Sequence, residues 1–300
     1  MGRPREVRVR VPGSSANLGP GFDSLGLALG LYDSVEVSVA AEGVAVEVAG
    51  EGAGRVPCDE AHLVVRAMRA AWDVVGDAPP GIRMRCRNAI PHSRGLGSSA
   101  AAAVAGATAA VVLAGRDVEL ERDTILQVAA GMEGHADNAA ASLLGGFVIA
   151  WDNGGNTSPR FNAVRLETHP GIHPVALVAG IESLTSTTRG LLPERVPLAD
   201  AAFTGSRTAL SVLAFTQRPE LLLPATEDRL HQNYRRPAYP GSADLVDTLR
   251  ERGIPAAISG AGPTVLALTG NGDLPPDLEL NGFTALALPV DAAGASVEIG

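Results

Sequence analysis

Lysine is absent from this 300-residue chain, and all 24 of its basic residues are arginine. Two ways of holding a phosphate therefore drop out: the G-x-x-x-x-G-K-[ST] loop of P-loop NTPases and the strand lysine that protein kinases aim at the phosphates. A bias toward Ala, Gly and Arg throughout the chain accounts for the missing lysine without a functional cause. Cysteine is scarce too. Cys58 and Cys86 are the only two, with no C-x-x-C and no histidine cluster at ligand spacing, so neither a disulfide framework nor a zinc site is supported. No stretch approaches the roughly 18 apolar residues of a membrane span. The start, Met1-Gly2-Arg3-Pro4-Arg5-Glu6, has no apolar core segment. A cytoplasmic protein that touches no membrane is expected. The net charge of −9, with no basic run to offset it, argues against a nucleic-acid partner. An anionic substrate would have to be met by arginines gathered locally.

What is present is ordinary for a globular protein: 46% apolar and 19% charged residues, in a length that suggests two domains. Val7, Val9 and Val11 alternate with arginines and predict a strand stopped by Pro12, followed by a turn-rich loop over 12–23. A long strand or bent pair is expected over 25–40, and strands over 44–48 and 82–86. Helices are expected over 60–76, 98–114, 117–133 and 136–144. After a strand at 147–151, the cluster Asp152-Asn153-Gly154-Gly155-Asn156 places a domain boundary near 155/156, giving domains 1–155 and 156–300. The second half predicts strands near 162–167, 174–180, 256–259, 264–269 and 283–288, with helices near 187–192, 197–216 and 241–252. That order suits an α+β sandwich of the split βαβ type. The Ala- and Gly-rich tail after Pro289 is expected to be loosely ordered.

The strongest chemical signal is Pro91-His92-Ser93-Arg94-Gly95-Leu96-Gly97-Ser98-Ser99-Ala100-Ala101. Glycines let backbone amides turn toward a ligand, and the alanine-rich helix that follows adds unpaired N–H groups and a positive dipole end. Such a turn binds an anion, usually phosphate, or simply starts a buried helix. The G-x-G-x-x-G dinucleotide pattern is not matched.

Here the chain resembles the GHMP small-molecule kinases, whose phosphate loop reads P-x-x-x-G-L-G-S-S-A-A. Five further blocks resemble the same family. Pro12 to Asp23 reads P-x-[ST]-x-A-N-L-G-P-G-F-D, the form of the homoserine kinase branch. Glu133-Gly134-His135-Ala136-Asp137-Asn138 is close to its E-x-H-x-D-N. Leu184 to Pro193 resembles S-T-x-x-A-R-x-x-L-P, with Leu184 and Thr188 in place of the usual Ser and Ala. Asp228 to Arg235 matches D-x-L-H-x-x-Y-R, and Ser259 to Thr264 contains G-A-G-P-T.

The resemblance implies a two-domain α+β GHMP kinase fold, a ribosomal-protein-S5-like first domain and a ferredoxin-like second, with ATP and L-homoserine in the cleft between them. It implies that residues 91–101 with Gly260 and Gly262 bind ATP, and that Ser99 and Glu133 hold Mg²⁺. It assigns Asn17, Asp23, His135, Thr185, Arg189 and Arg235 to the amino acid, whose phosphorylation belongs to threonine biosynthesis. Read alone, Asn17 is as well a turn residue, Asp23 a solvated carboxylate, His135 and Asp137 helix caps, and each arginine a surface charge. Asn138 stands where other members have an aspartate base and cannot take a proton. That leaves Asp23 as the alternative base, and it leaves open another GHMP kinase or a non-catalytic nucleotide- or amino-acid-binding protein. The oligomeric state is not given by the sequence, a homodimer being the assembly considered.

Overall fold

The computed structural model describes residues 3–155, 157–183 and 185–300, apart from the side chains of Thr185 and Ser186. The first lobe begins with β1 (Glu6–Asn17), β2 (Gly21–Ala40) and β3 (Gly43–Gly50). It continues through α1 (Leu63–Val75), β4 (Gly81–Asn88), α2 (Ser98–Leu113), α3 (Arg122–Glu133), α4 (Asp137–Leu144), β5 (Phe147–Asp152) and β6 (Phe161–Leu166). The second lobe carries β7 (His173–Ala179), α5 (Thr185–Arg189), α6 (Leu198–Thr216), α7 (Leu222–Ala225), α8 (Gln232–Arg235) and α9 (Pro240–Glu251). Its remaining strands are β8 (Ala256–Ile258), β9 (Val265–Thr269) and β10 (Phe283–Ala287), after which β11 (Ser296–Ile299) returns to the first lobe.

One sheet runs β11-β1-β2-β4-β3, with β5 joined to β2 and β6 to β5. The other runs β10-β7-β9-β8 with every neighbour antiparallel. In that second sheet the crossover from β7 to β8 is helical, whereas β9 reaches β10 by a loop over 270–282, so the split βαβ pattern keeps its strand order with one helical crossover. Among the described residues no helix is long and apolar enough to cross a membrane.

Period-two patterning builds the first sheet as expected. Val7, Val9 and Val11 are fully buried, while Arg8 faces out and bridges Glu36 on β2 at 2.6 Å and Glu298 on β11 at 3.3 Å. Pro12 does not stop β1, which continues to Asn17 across a register shift between Pro12 and Gly13. A proline lacks the N–H that a ladder needs, and a bulge accommodates it. Most of the expected loop over 12–23 is therefore strand. The expected helix over 117–133 starts only at Arg122, because the Asp117 carboxylate is spent on a separate turn, accepting from the Glu119 N–H at 2.8 Å.

The tail after Pro289 is ordered, contrary to expectation. The Gly30 N–H donates to the Pro289 carbonyl, Asp291 accepts from Tyr32 and from the amides of Ala293 and Gly294, and β11 pairs antiparallel with β1. Strands β6 and β11 belong to the first sheet although both lie beyond residue 155.

Helix α2 is the element around which the first lobe is packed. From Ala103 to Leu113 every residue is buried, and Ser98, Ser99, Ala102 and Ala105 lie along the cleft. A helix apolar on all sides belongs in an interior, and small side chains let neighbours close in. A Cβ at Gly106 would stand 2.3 Å from the Val64 carbonyl of α1. Strand β4, with Ile82, Met84 and Cys86 inward and Arg83, Arg85 and Arg87 outward, delivers the chain into the loop before α2. Asp33 on β2 fixes the start of that loop, its Oδ1 accepting from the Ala89 and Ile90 N–H groups at 2.8 and 2.9 Å.

Burial pushes the Asp33 carboxyl up to about 6 from its ordinary 3.8, against the two N–H bonds that pull it down. The folded state thus holds this proton more tightly than the unfolded chain. The stability it contributes is full below the unfolded value and gone once pH has risen through about 6. Asp33→Asn keeps the acceptor and does not titrate. Urea unfolding of the native protein should lose on the order of 3 kcal/mol more than the variant between about pH 4 and about pH 7; parallel pH profiles would refute this account.

Candidate active site

A cleft of about 420 Å³ lies between the lobes, and the loop before α2 forms its floor. Gly97 caps α2 with a left-handed backbone, φ 70°, and no side chain among the described residues caps its amides. The first turn of a buried helix thus presents unpaired N–H groups to the cleft, the requirement for binding a phosphate. Three hydrogen bonds from two segments hold this loop from behind. The Leu96 carbonyl accepts from the Ser14 N–H at 3.0 Å, the Gly95 carbonyl from the Ser259 hydroxyl at 2.6 Å, and the Arg94 carbonyl from the Thr264 N–H at 3.2 Å. Glycine is obligatory twice. A Cβ at Gly95 would lie 2.3 Å from the Ser259 carbonyl, and one at Gly97 would lie 2.2 Å from the Ser14 hydroxyl.

Of the residues expected around the phosphates, Pro91 to Ser99 and Gly260 line the cleft. Ala100 and Ala101 do not, being fully buried in α2. Gly262 sits beneath the turn, where its φ of 80° and the ring of Tyr239 leave no room for a side chain.

On the helix side, the Ser99 hydroxyl donates to Glu133 Oε2 at 2.9 Å, joining the start of α2 to the end of α3. Burial raises the Glu133 pKa, with the Ser99 bond and the His135 charge opposing. A half-buried carboxylate beside a hydroxyl is an all-oxygen donor pair, which suits Mg²⁺.

The far end of the cleft is charged. Asp23, at the start of β2 with φ 54°, is clamped by both terminal nitrogens of Arg189 at the end of α5, one of them at 3.2 Å from Oδ1. Burial raises the Asp23 pKa, the nearby Asp137 adds to this, and Arg189, His135 and Arg235 pull against it. Arg235 is 1% exposed, and its Nε has no partner among the described residues. One of its terminal nitrogens reaches His231 Nδ1 at 3.3 Å and the Gly260 carbonyl at 3.4 Å. Both arginines lie over the Phe22 ring, at 5.2 and 5.3 Å from its centre.

Asn17 lines the same end with its amide already committed, donating to the Gly260 carbonyl at 2.8 Å and accepting from the Asp23 N–H at 3.0 Å. Asn138 Oδ1 accepts from the Ser14 hydroxyl at 3.0 Å. His135 bonds through Nδ1 to Asp137 at 2.7 Å. Burial alone would lower the imidazole pKa, but that bond and the charges of Asp137, Asp23 and Glu133 outweigh it and the pKa rises. The side chain of Thr185 lies outside the described residues.

Sequence reasoning left out the other end of the cleft, where Val35, Val56, Pro57, Ala61, Leu63 and Val64 make an apolar wall. It also left out His231, fully buried between Gly19 and Asp228. The His-x-x-x-Arg spacing from His231 to Arg235, one helical turn, was a usable signal for that packing.

Residues 62–146 match the model of the GHMP kinase N-terminal domain, and residues 212–279 match that of the GHMP kinase C-terminal domain. The chain is 54% identical over 298 residues to a homoserine kinase of Streptomyces avermitilis, across 98% of this chain and 96% of that protein. The chain belongs to the homoserine kinases of the GHMP family. A second homoserine kinase, from Streptomyces coelicolor, is 53% identical over 98% of this chain and 95% of its own length. Among solved structures, a homoserine kinase from Cytophaga hutchinsonii superposes with a TM-score of 0.83 at 25% identity, covering 99% of both chains. A mevalonate diphosphate decarboxylase from Staphylococcus aureus shares the fold, with a TM-score of 0.70 at 18% identity. The GHMP kinase assignment confirms the α+β fold class expected from the motifs.

For a GHMP kinase the loop geometry makes one substitution decisive. Gly97→Ala brings a Cβ onto the Ser14 hydroxyl and strains a left-handed backbone. ATP affinity measured by calorimetry should fall by about tenfold or more; an unchanged affinity would remove this loop from the phosphate site.

Proposed function

We propose that the chain transfers the γ-phosphoryl group of ATP to the side-chain hydroxyl of L-homoserine, supplying O-phospho-L-homoserine to threonine biosynthesis in the cytoplasm. The observation that carries the reading is one cleft lined by three kinds of surface: an apolar wall, a glycine loop at a helix start, and a charged group built from Asp23, Arg189 and Arg235. An apolar wall suits a nucleobase, a helix start suits phosphates, and paired opposite charges suit an amino acid.

In this reading ATP lies with its base against Val56 to Val64 and its phosphates on the amides of residues 95–99. Ser99 and Glu133 hold Mg²⁺, which when bound neutralises charge on the phosphate oxygens. Arg235 takes the substrate carboxylate, since a buried guanidinium with an idle Nε lacks only an anion. Asp23 takes the ammonium, and its left-handed backbone is held by the Asn17 amide. His135, fixed by Asp137, lines the wall beside the acceptor hydroxyl.

No side chain in the cleft is assigned as base. Asn138 is committed to Ser14 and cannot take a proton, and Asp23 is occupied by cations. The hydroxyl proton passes to a γ-phosphate oxygen or to water. A positioned base contributes typically 10²–10⁴-fold. Alignment and charge neutralisation lower most of the barrier in a loose phosphoryl transfer.

Two outcomes test these assignments in steady-state assays of ADP release. Arg235→Ala removes one side of a buried charged pair, a loss of about 2–5 kcal/mol. KM for L-homoserine should rise by about two orders of magnitude while KM for ATP moves little; an equal rise for both would place Arg235 outside the amino-acid pocket. Glu133→Gln should raise the Mg²⁺ concentration giving half-maximal rate by about tenfold or more, and an unshifted Mg²⁺ dependence would remove Glu133 from the metal.

A further inference from the structure

The cleft already contains an ion pair of the kind its substrate carries. Arg189, from the second lobe, holds the Asp23 carboxylate of the first lobe through both terminal nitrogens, the arginine exposed and the carboxylate half-buried. Arg235 lies over the same Phe22 ring, and its Nε has no partner among the described residues. A ligand with a carboxylate alone can be received by Arg235 with the pair intact. To recruit Arg189 as well, it must leave Asp23 without a cation beside the buried Asp137 carboxylate. Isolating a charge in that way is costly. A ligand with an ammonium alone meets the mirror problem at Arg189. Only a molecule carrying both charges can take Asp23 with one end and Arg189 with the other, leaving neither bare.

Resting on the substrate reading above, we infer that the Asp23–Arg189 pair is a specificity device, opened by exchange: the substrate's ammonium replaces Arg189 on Asp23 while its carboxylate takes Arg189 and Arg235 together. The pair therefore rejects half-charged analogues of L-homoserine by competing with them. The attraction between protein groups, rather than a steric wall, sets the demand for an α-amino acid.

The test deletes one charge from the protein and the matching charge from the ligand. Asp23→Asn is the isosteric choice, and asparagine accepts the left-handed backbone at this position. Affinities for L-homoserine and for 4-hydroxybutyrate, which lacks the amino group, are measured by calorimetry with the non-hydrolysable analogue β,γ-methylene-ATP present. Exchange predicts opposite signs. The variant should bind L-homoserine about tenfold or more weakly, yet bind 4-hydroxybutyrate about tenfold more tightly than the native protein, because Arg189 is released. Weaker binding of both ligands, or no change for 4-hydroxybutyrate, would overturn the inference and make the pair a tie between lobes. Arg189→Gln with 3-amino-1-propanol, which lacks the carboxylate, is the mirror experiment and decides the matter should Asp23→Asn fail to fold. Native turnover of L-homoserine is recorded alongside. Its absence would reject the substrate reading, whereas its presence without the sign reversal rejects the exchange alone.

Discussion

The structure depends on the attachment of the phosphate loop to β1 and to the turn between β8 and β9. Carbonyl oxygens of Arg94, Gly95 and Leu96 are taken up by groups from Thr264, Ser259 and Ser14, which come from both lobes. With its carbonyls engaged on the protein side, the loop keeps its amides and the start of α2 for a ligand. Because the partners belong to the two blocks flanking the cleft, the same bonds that shape the loop also hold the lobes at one separation. Catalysis by alignment needs such rigidity, since no base is present to compensate for a misplaced acceptor. The buried face of α2 completes the support, its Gly106 allowing α1 to approach within backbone distance.

Charge is arranged on the same scaffold. The chain is acidic overall, with a net charge of −9, yet Arg189 and Arg235 converge at one end of the cleft. Arg235 is held by packing around Phe22 and His231, and His231 is held by Gly19 and Asp228. A cation is thereby kept in a low-dielectric place where it attracts an anion strongly, although burial lowers its own pKa. Asp23 and Glu133 show the same economy in the opposite sign, each raised by burial and each beside the group that offsets it.

Much of this could be read from the residues themselves. Alternation in Val7 to Val11 and in Ile82 to Arg87 yields real strands, and the helix after Gly97 starts where the glycine pattern ends. Local patterning fails where a distant partner decides. Pro12 reads as a stop until β2 is present to host a bulge, and the tail after Pro289 reads as loose until Tyr32, Gly30 and β1 are there to receive it. In the cleft, the resemblance of whole blocks to the GHMP family points to the charged end and the loop, whereas each glycine, arginine or carboxylate read alone is open to a structural role. The apolar wall from Val35 to Val64 carries residues found in any core, and only the fold leaves them facing a cavity.

The return of β11 to the first sheet bears on how the chain is made. Arg8 and Glu298 are neighbours across β1 and β11 yet 290 positions apart, so the outer edge of β1 stays open while the whole second lobe is synthesised. Contacts of such long range are slow to form because a large loop must close first. An unpaired edge is also a template for wrong partners. The alternating arginines Arg8 and Arg10 on that strand put like charges on any two copies that pair through it. They can protect the nascent first lobe from its neighbours until its own distant strand arrives.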